Sequence, residues 1–141
     1  MALFNSIFTW VMKKRIHQIE LFQKYPYEVQ TELMEALVKK GSKTVYGLKH
    51  KFSDIKSLKS FQEQIPIQNY QDLFPYIDRI MHGEQNVLWP SEIKWFAKSS
   101  GTTNARSKFI PVSNEALQDC HIKGGKDLLS IYFNNFENTK M

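Results

Sequence analysis

Apolar residues recur at helical spacing along the first forty positions. Leu3, Ile7, Trp10, Val11 and Lys14 fall at i, i+4, i+7, i+8 and i+11, and Ile16, Ile19 and Phe22 continue on three-residue steps. This pattern predicts a helix from residue 2 to about residue 24. Pro26 suits the first turn of a second helix, because its missing N–H is one that a helix start leaves unpaired. That helix should run to about Lys40, with Val29, Leu33, Ala36 and Leu37 as its buried stripe and Gly41 as its natural stop. Residues 42–56 are less regular. Ser57 to Gln64 reads as a short helix, and Ile65-Pro66-Ile67 as extended, since proline disfavours helix in the residue before it. Asn69, with Asp72 three residues on, resembles a helix N-terminus. Leu73, Ile77 and Ile80 then share one face up to Gly83. Pro75 removes a backbone donor, so it fits this helix only if the helix begins near Leu73.

The pattern changes in the last third. Val87-Leu88-Trp89-Pro90 is a short extended piece. Ile93-Lys94-Trp95-Phe96-Ala97 and Phe109-Ile110-Pro111-Val112 read as strands. Ser113 then caps a helix with Glu115 in its favourable first turn. It runs to about Phe133 through Leu117, Cys120, Leu128, Leu129 and Tyr132. Gly124 and Gly125 weaken this helix by about 1 kcal/mol each relative to alanine, and mark a kink or a close approach of another backbone. The order is helices first, then strands, with no closing element after Asn134. We read the chain as the front part of a larger α/β protein: residues 1–85 mainly helical, residues 86–141 strand, loop, strand and helix.

The composition is that of a folded chain, with 42% hydrophobic and 23% charged residues among 141. Ten Phe, six Tyr and three Trp need a sizeable core or a partner surface to cover them. The net charge of +5 is unevenly spread. Lys39, Lys40, Lys43, Lys49, Lys51, Lys56 and Lys59 face only Asp54 between positions 38 and 60. This is the solvated face of a helix and loop, without the aromatic signature of an RNA-binding module, so neither nucleic acid nor membrane is expected as a partner. A basic nucleic-acid-binding module stands as the alternative. Cys120 is the only cysteine; it excludes an intramolecular disulfide, fits a reducing cytoplasm, and reads as a small buried apolar residue. His17, His50, His82 and His121 have no metal-ligand spacing. The longest uncharged segment, Met1 to Met12, is too short to span a bilayer.

The candidate chemistry lies between the two strands. Ser99-Ser100-Gly101-Thr102-Thr103-Asn104-Ala105-Arg106-Ser107-Lys108 combines hydroxyl donors, one glycine and two cations. A phosphate binder needs donors aimed inward and a backbone that bends tightly around oxygen. Gly101 leaves no Cβ in the way, and Ser99, Ser100, Thr102 and Thr103 offer hydroxyls. Arg106 and Lys108 neutralise anionic charge, one as a fork and one as a point. The spacing is not that of a Walker loop, which joins a strand to a helix.

Trp89 through Thr103, followed by Lys108-Phe109-Ile110-Pro111, resembles the first nucleotide motif of the auxin-responsive Gretchen Hagen family. The lead-in Ile65-Pro66-Ile67, Tyr70, Pro75, Ile77, Arg79 and Gly83 is similar as well, so the resemblance covers most of residues 60–130, in bacterial style. These are acyl-acid amido synthetases of the adenylate-forming superfamily. The resemblance implies an α/β fold in which a helical N-terminal part leads into the first strands of the adenylate-forming large domain, here incomplete. It implies ATP and Mg²⁺ as cofactors. A carboxylic acid would be activated as an acyl-adenylate, and an amine acceptor, an amino acid, would then attack the acyl carbon. Ser99, Ser100, Gly101, Thr102 and Thr103 fall on the family's phosphate positions, and Lys108 on the lysine that closes the motif. Ala105 replaces the usual second glycine and Ser107 the usual proline. The motifs that hold adenine, ribose and Mg²⁺ belong to a C-terminal remainder not found here. That remainder is the expected partner, and this chain alone is expected to be inactive, or a truncated remnant.

Overall fold

The structure, a computed structural model, describes residues 2–99 and 107–136, with side chains from Trp10 onward. It forms two units, residues 30–114 and residues 1–29 with 115–141.

In the second of these, helix α1 (Ala2–Lys24) packs on α7 (Lys123–Asn135). Met12, on the inner face of α1, is buried, and Ile16 and Ile19 are half-buried at the following turns. Trp10 and Val11, expected on that face, are exposed, as is Phe22; the side chains of Leu3 and Ile7 lie outside the described residues. The inner face of α7 is polar: Asp127 is half-buried and Ser130 fully buried. Ser130 Oγ donates to the Lys126 carbonyl at 2.7 Å and rests 3.2 Å from Met12 Sδ. Arg15 closes a forked ion pair on Asp127, with Nη2 donating to Oδ2 at 2.9 Å and Nε donating to Oδ1. Leu128, by contrast, is 70% exposed. Hydrophobicity along α7 therefore points to the wrong stripe, because a charge-assisted fork holds the two helices at this level.

The helix entering α7 is irregular. A short α6 (Asn114–Ala116) passes into a π-helical stretch (Leu117–Ile122) and then into α7 with helical backbone angles throughout. Cys120, expected to be buried, sits on this stretch and is exposed. Gly124 and Gly125 have no described atom within 4 Å of where a Cβ would stand, so they mark no close approach among the described residues.

Helix α2 (Pro26–Gly41) begins on its proline as expected. Its inner face is Met34, Val38 and Gly41, at i, i+4 and i+7, whereas Leu33, Ala36 and Leu37 are exposed. The cause is a corner. The short helix α3 (Val45–Lys49) turns back so closely that a Cβ on Gly47 would stand 2.1 Å from the Gly41 carbonyl oxygen. Only glycine at position 47 admits that crossing, and a Cβ on Gly41 would press to 3.2 Å on the Phe52 ring. Residues 42–56, irregular by sequence, hold α3 and a single 3₁₀ turn (Phe52–Asp54). The first amides of α3 are all satisfied: Val45 and Tyr46 donate to the carbonyls of Asn86 and Val87 at 3.0 Å, and Gly47 to Thr44 Oγ1 at 2.9 Å. Residues 87–90, expected to be extended, are instead a run of bends that follows Asn86 at φ +57°, and this turn aims the Asn86 and Val87 carbonyls at the helix start.

Helix α4 (Leu58–Gln64) starts at Ser57, whose hydroxyl accepts from the Ser60 amide. Helix α5 (Tyr70–Met81) starts at Asn69, and Gly83 at φ +93° follows its end, where a left-handed residue is needed. The helix begins three residues before Leu73, with Pro75 inside it. The capping box secures the first turn, and burial of Tyr76, Ile77 and Ile80 outweighs the one lost backbone bond. Tyr76, Ile80, Val87 and Ile93 form the core, flanked by Val45, Tyr46, Leu88, Trp89 and Phe96. Strands β1 (Ile93–Lys98) and β2 (Phe109–Ser113) pair antiparallel, with Lys98 opposite Phe109 and a bulge between Ile93 and Trp95. The architecture is mostly helical with this small sheet. Among the described residues, no helix is long and apolar enough to cross a membrane.

Candidate phosphate site

The β1–β2 pair determines where the candidate loop begins and ends. Beyond the last strand pair, Ser99 N–H donates to the Lys108 carbonyl at 2.9 Å, and Lys108 N–H donates to Ser99 Oγ at 3.1 Å. The two ends of the ten-residue segment are thereby brought side by side. Ser99 Oγ is an acceptor here, and its own hydrogen is left to donate elsewhere. Ser100, Gly101, Thr102 and Thr103 lie outside the described residues, as do Asn104, Ala105 and Arg106. Of the six residues assigned to phosphate by sequence, the structure therefore places Ser99 and Lys108, and it places them together.

Lys108 is exposed, and its Nζ stands 5.4 Å from the ring centroid of Tyr70. Tyr70 is the first residue of α5. It is held there by Asn69, whose Oδ1 accepts from the Gln71 and Asp72 amides at 2.8 and 3.2 Å, and by Asp72, whose Oδ2 accepts from Asn69 N–H at 2.8 Å. From this first turn the Tyr70 hydroxyl reaches the start of β2. It accepts from Phe109 N–H at 2.9 Å and lies 3.2 Å from the Phe109 carbonyl, to which it donates. No local pattern signals this contact, which joins positions 39 residues apart.

The lysine-rich segment is spent largely on the chain itself. Lys40 Nζ lies 5.3 Å over the Trp89 ring, and Lys49 Nζ donates to the Tyr76 hydroxyl at 2.6 Å. Lys56 donates to the Ser53 carbonyl at 2.8 Å, and Lys59 stands 3.9 Å from Glu63. Burial, and then the neighbouring Tyr76, hold the Tyr46 hydroxyl above its usual range in the same cluster. Asp127 is engaged by Arg15, whose hydrogen bonds hold its carboxyl below the usual range. Among the described residues, no group of three or more His, Cys, Asp or Glu could hold a metal ion.

Residues 15–141 match the GH3 family N-terminal domain. The 4-substituted benzoates-glutamate ligase GH3.12 of Arabidopsis thaliana is 33% identical over 92 residues, 64% of this chain and 16% of that protein. The jasmonoyl-L-amino acid synthetase JAR4 of Nicotiana attenuata is 32% identical over 108 residues, 73% of this chain and 18% of that protein. Among solved structures, the AtGH3.15 acyl acid amido synthetase in complex with 2,4-DB superposes with a TM-score of 0.78 at 23% identity, covering 87% of this chain and 21% of that one. The chain therefore belongs to the GH3 family, the Gretchen Hagen family that its loop residues resemble. It spans 16–18% of the length of these two curated relatives.

Proposed function

We propose that this chain is the phosphate-holding part of an ATP-dependent acyl-acid amido synthetase, an acid–amine ligase. The observation that carries the reading is the pairing of Ser99 with Lys108 at the root of a Ser-Ser-Gly-Thr-Thr segment. A hairpin pinned at that point returns the closing lysine to the side of the first serine, so that one cation and a run of hydroxyls can address one polyphosphate. Ser99, Ser100, Gly101, Thr102, Thr103 and Lys108 are the residues we assign to ATP. The two curated relatives named above supply the rest of the reading: one is named for substituted benzoates and glutamate, the other for a jasmonoyl group and amino acids. We infer a carboxylic acid as the activated substrate and an amino acid as the acceptor amine. Activation would join the acid to the adenylyl group with release of pyrophosphate, and the amine would then displace AMP. In this division of labour the present chain binds and orients the phosphates. Turnover belongs to the whole protein, of which we infer a cytoplasmic location.

Titration of the chain with ATP tests this, with pyrophosphate and a short RNA as competitors. Saturable binding displaced by pyrophosphate and not by RNA is expected. Binding displaced by RNA and weakening steeply with salt would favour the basic-module reading instead.

A further inference from the structure

We propose that Tyr70 is a positioning residue for the candidate phosphate segment, acting through Lys108 and Phe109; this rests on the functional reading above. Two independent contacts converge on that side chain. Its hydroxyl brackets both backbone polar groups of Phe109, at 2.9 Å to the N–H and 3.2 Å to the carbonyl. Phe109 is opposite Lys98 in the sheet, so the tyrosine occupies the edge of β2 that β1 does not use. The ring meanwhile lies under the Lys108 ammonium, 5.4 Å from its centroid. An ammonium over an aromatic face keeps its charge and can turn N–H groups to an anion on the far side. A free lysine would instead sample many rotamers and surrender that freedom on binding. Tyr70 thus fixes both the backbone and the cation at the point where the segment closes. Its own place is set by the Asn69–Asp72 capping box at the start of α5.

Two variants of the chain separate the contacts. Tyr70→Phe removes the hydroxyl and keeps the ring; Tyr70→Leu removes both. Backbone amide exchange at Phe109 should rise about fivefold in Tyr70→Phe, as expected for loss of one ordinary hydrogen bond. The Lys108 ε-methylene protons, shifted upfield by the ring in the parent chain and in Tyr70→Phe, should lose that shift in Tyr70→Leu. Tyr70→Leu should weaken ATP binding several-fold in the parent chain and have no further effect in a Lys108→Ala background. Unchanged Phe109 exchange in Tyr70→Phe, an unchanged Lys108 resonance in Tyr70→Leu, or fully additive losses of ATP affinity would each overturn the proposal. A parent chain that binds no ATP while both spectroscopic signatures respond as described would remove the phosphate reading and leave Tyr70 as the residue that seats Lys108.

Discussion

Ser99 and Lys108 exchange two hydrogen bonds across the base of the segment between β1 and β2, one backbone to backbone at 2.9 Å and one from the Lys108 amide to the Ser99 hydroxyl at 3.1 Å. The serine therefore has a structural task besides any contact with phosphate. Ser99→Ala should lower stability by about 1 kcal/mol through the orphaned amide and weaken ATP binding several-fold, while Ser99→Thr should restore both. Thermal unfolding and ATP titration of the two variants check this.

The corner between α2 and α3 predicts opposite results for two glycines. A Cβ on Gly47 would stand 2.1 Å from the Gly41 carbonyl oxygen, a contact that backbone atoms cannot relieve without moving α3. Gly47→Ala should destabilise the chain by more than about 3 kcal/mol. Gly124 lies in a helix with no described atom within 4 Å of its Cβ position, so Gly124→Ala should stabilise by about 1 kcal/mol. Urea denaturation of both variants measures the pair.

The fork between Arg15 and Asp127 makes the packing of α1 on α7 sensitive to acid. The Asp127 carboxyl is held below its ordinary 3.8, chiefly by the hydrogen bonds from Arg15. A carboxyl depressed in the folded state contributes stability that is present above its unfolded value and lost as pH falls through its folded value. The unfolding midpoint of Asp127→Asn should therefore fall below that of the parent chain near neutral pH. The difference should shrink as pH drops below 3.8. A difference independent of pH would assign the effect to packing instead.

Asn69 caps the helix from which Tyr70 reaches β2. Asn69→Ala should cost about 1 kcal/mol, the usual effect of losing a cap, and Asn69→Asp much less. Because Tyr70 is the next residue, Phe109 amide exchange should also rise in Asn69→Ala. Protection at Phe109 that survives the loss of the cap would show that the tyrosine is held in place by packing alone.

What could be read from the sequence divides along a physical line. Helix α5 was legible because its cap, Asn69 with Asp72, and its inward face, with Ile77 and Ile80 buried and Leu73 half-buried, follow from spacings within one or two turns. The strands flanking the candidate segment were legible for a similar reason, as short apolar runs around a polar stretch. Helix α3 was not, because five residues carry no period and the carbonyls that receive its first amides belong to Asn86 and Val87. The inward face of α2 differs from its apolar stripe, and that of α7 is polar. Helix α2 ends in a corner that only Gly47 admits, and α7 is held at Asp127 by Arg15, contacts that an apolar periodicity does not register. The candidate site was legible in its residue types. Its closure by Ser99 and Lys108 and its seat on Tyr70 are contacts between residues 9 and 39 positions apart, which no local pattern carries.

Equilibrium titration of the chain with ATP, beside a Thr102→Ala/Thr103→Ala variant of matched circular dichroism, tests the central claim most directly. The assignment of these hydroxyls to phosphate predicts saturable binding by the parent chain and an affinity lower by roughly tenfold or more in the variant, as for the loss of one or two charge-assisted hydrogen bonds. Equal affinity in the two chains, or no binding by either, would contradict it.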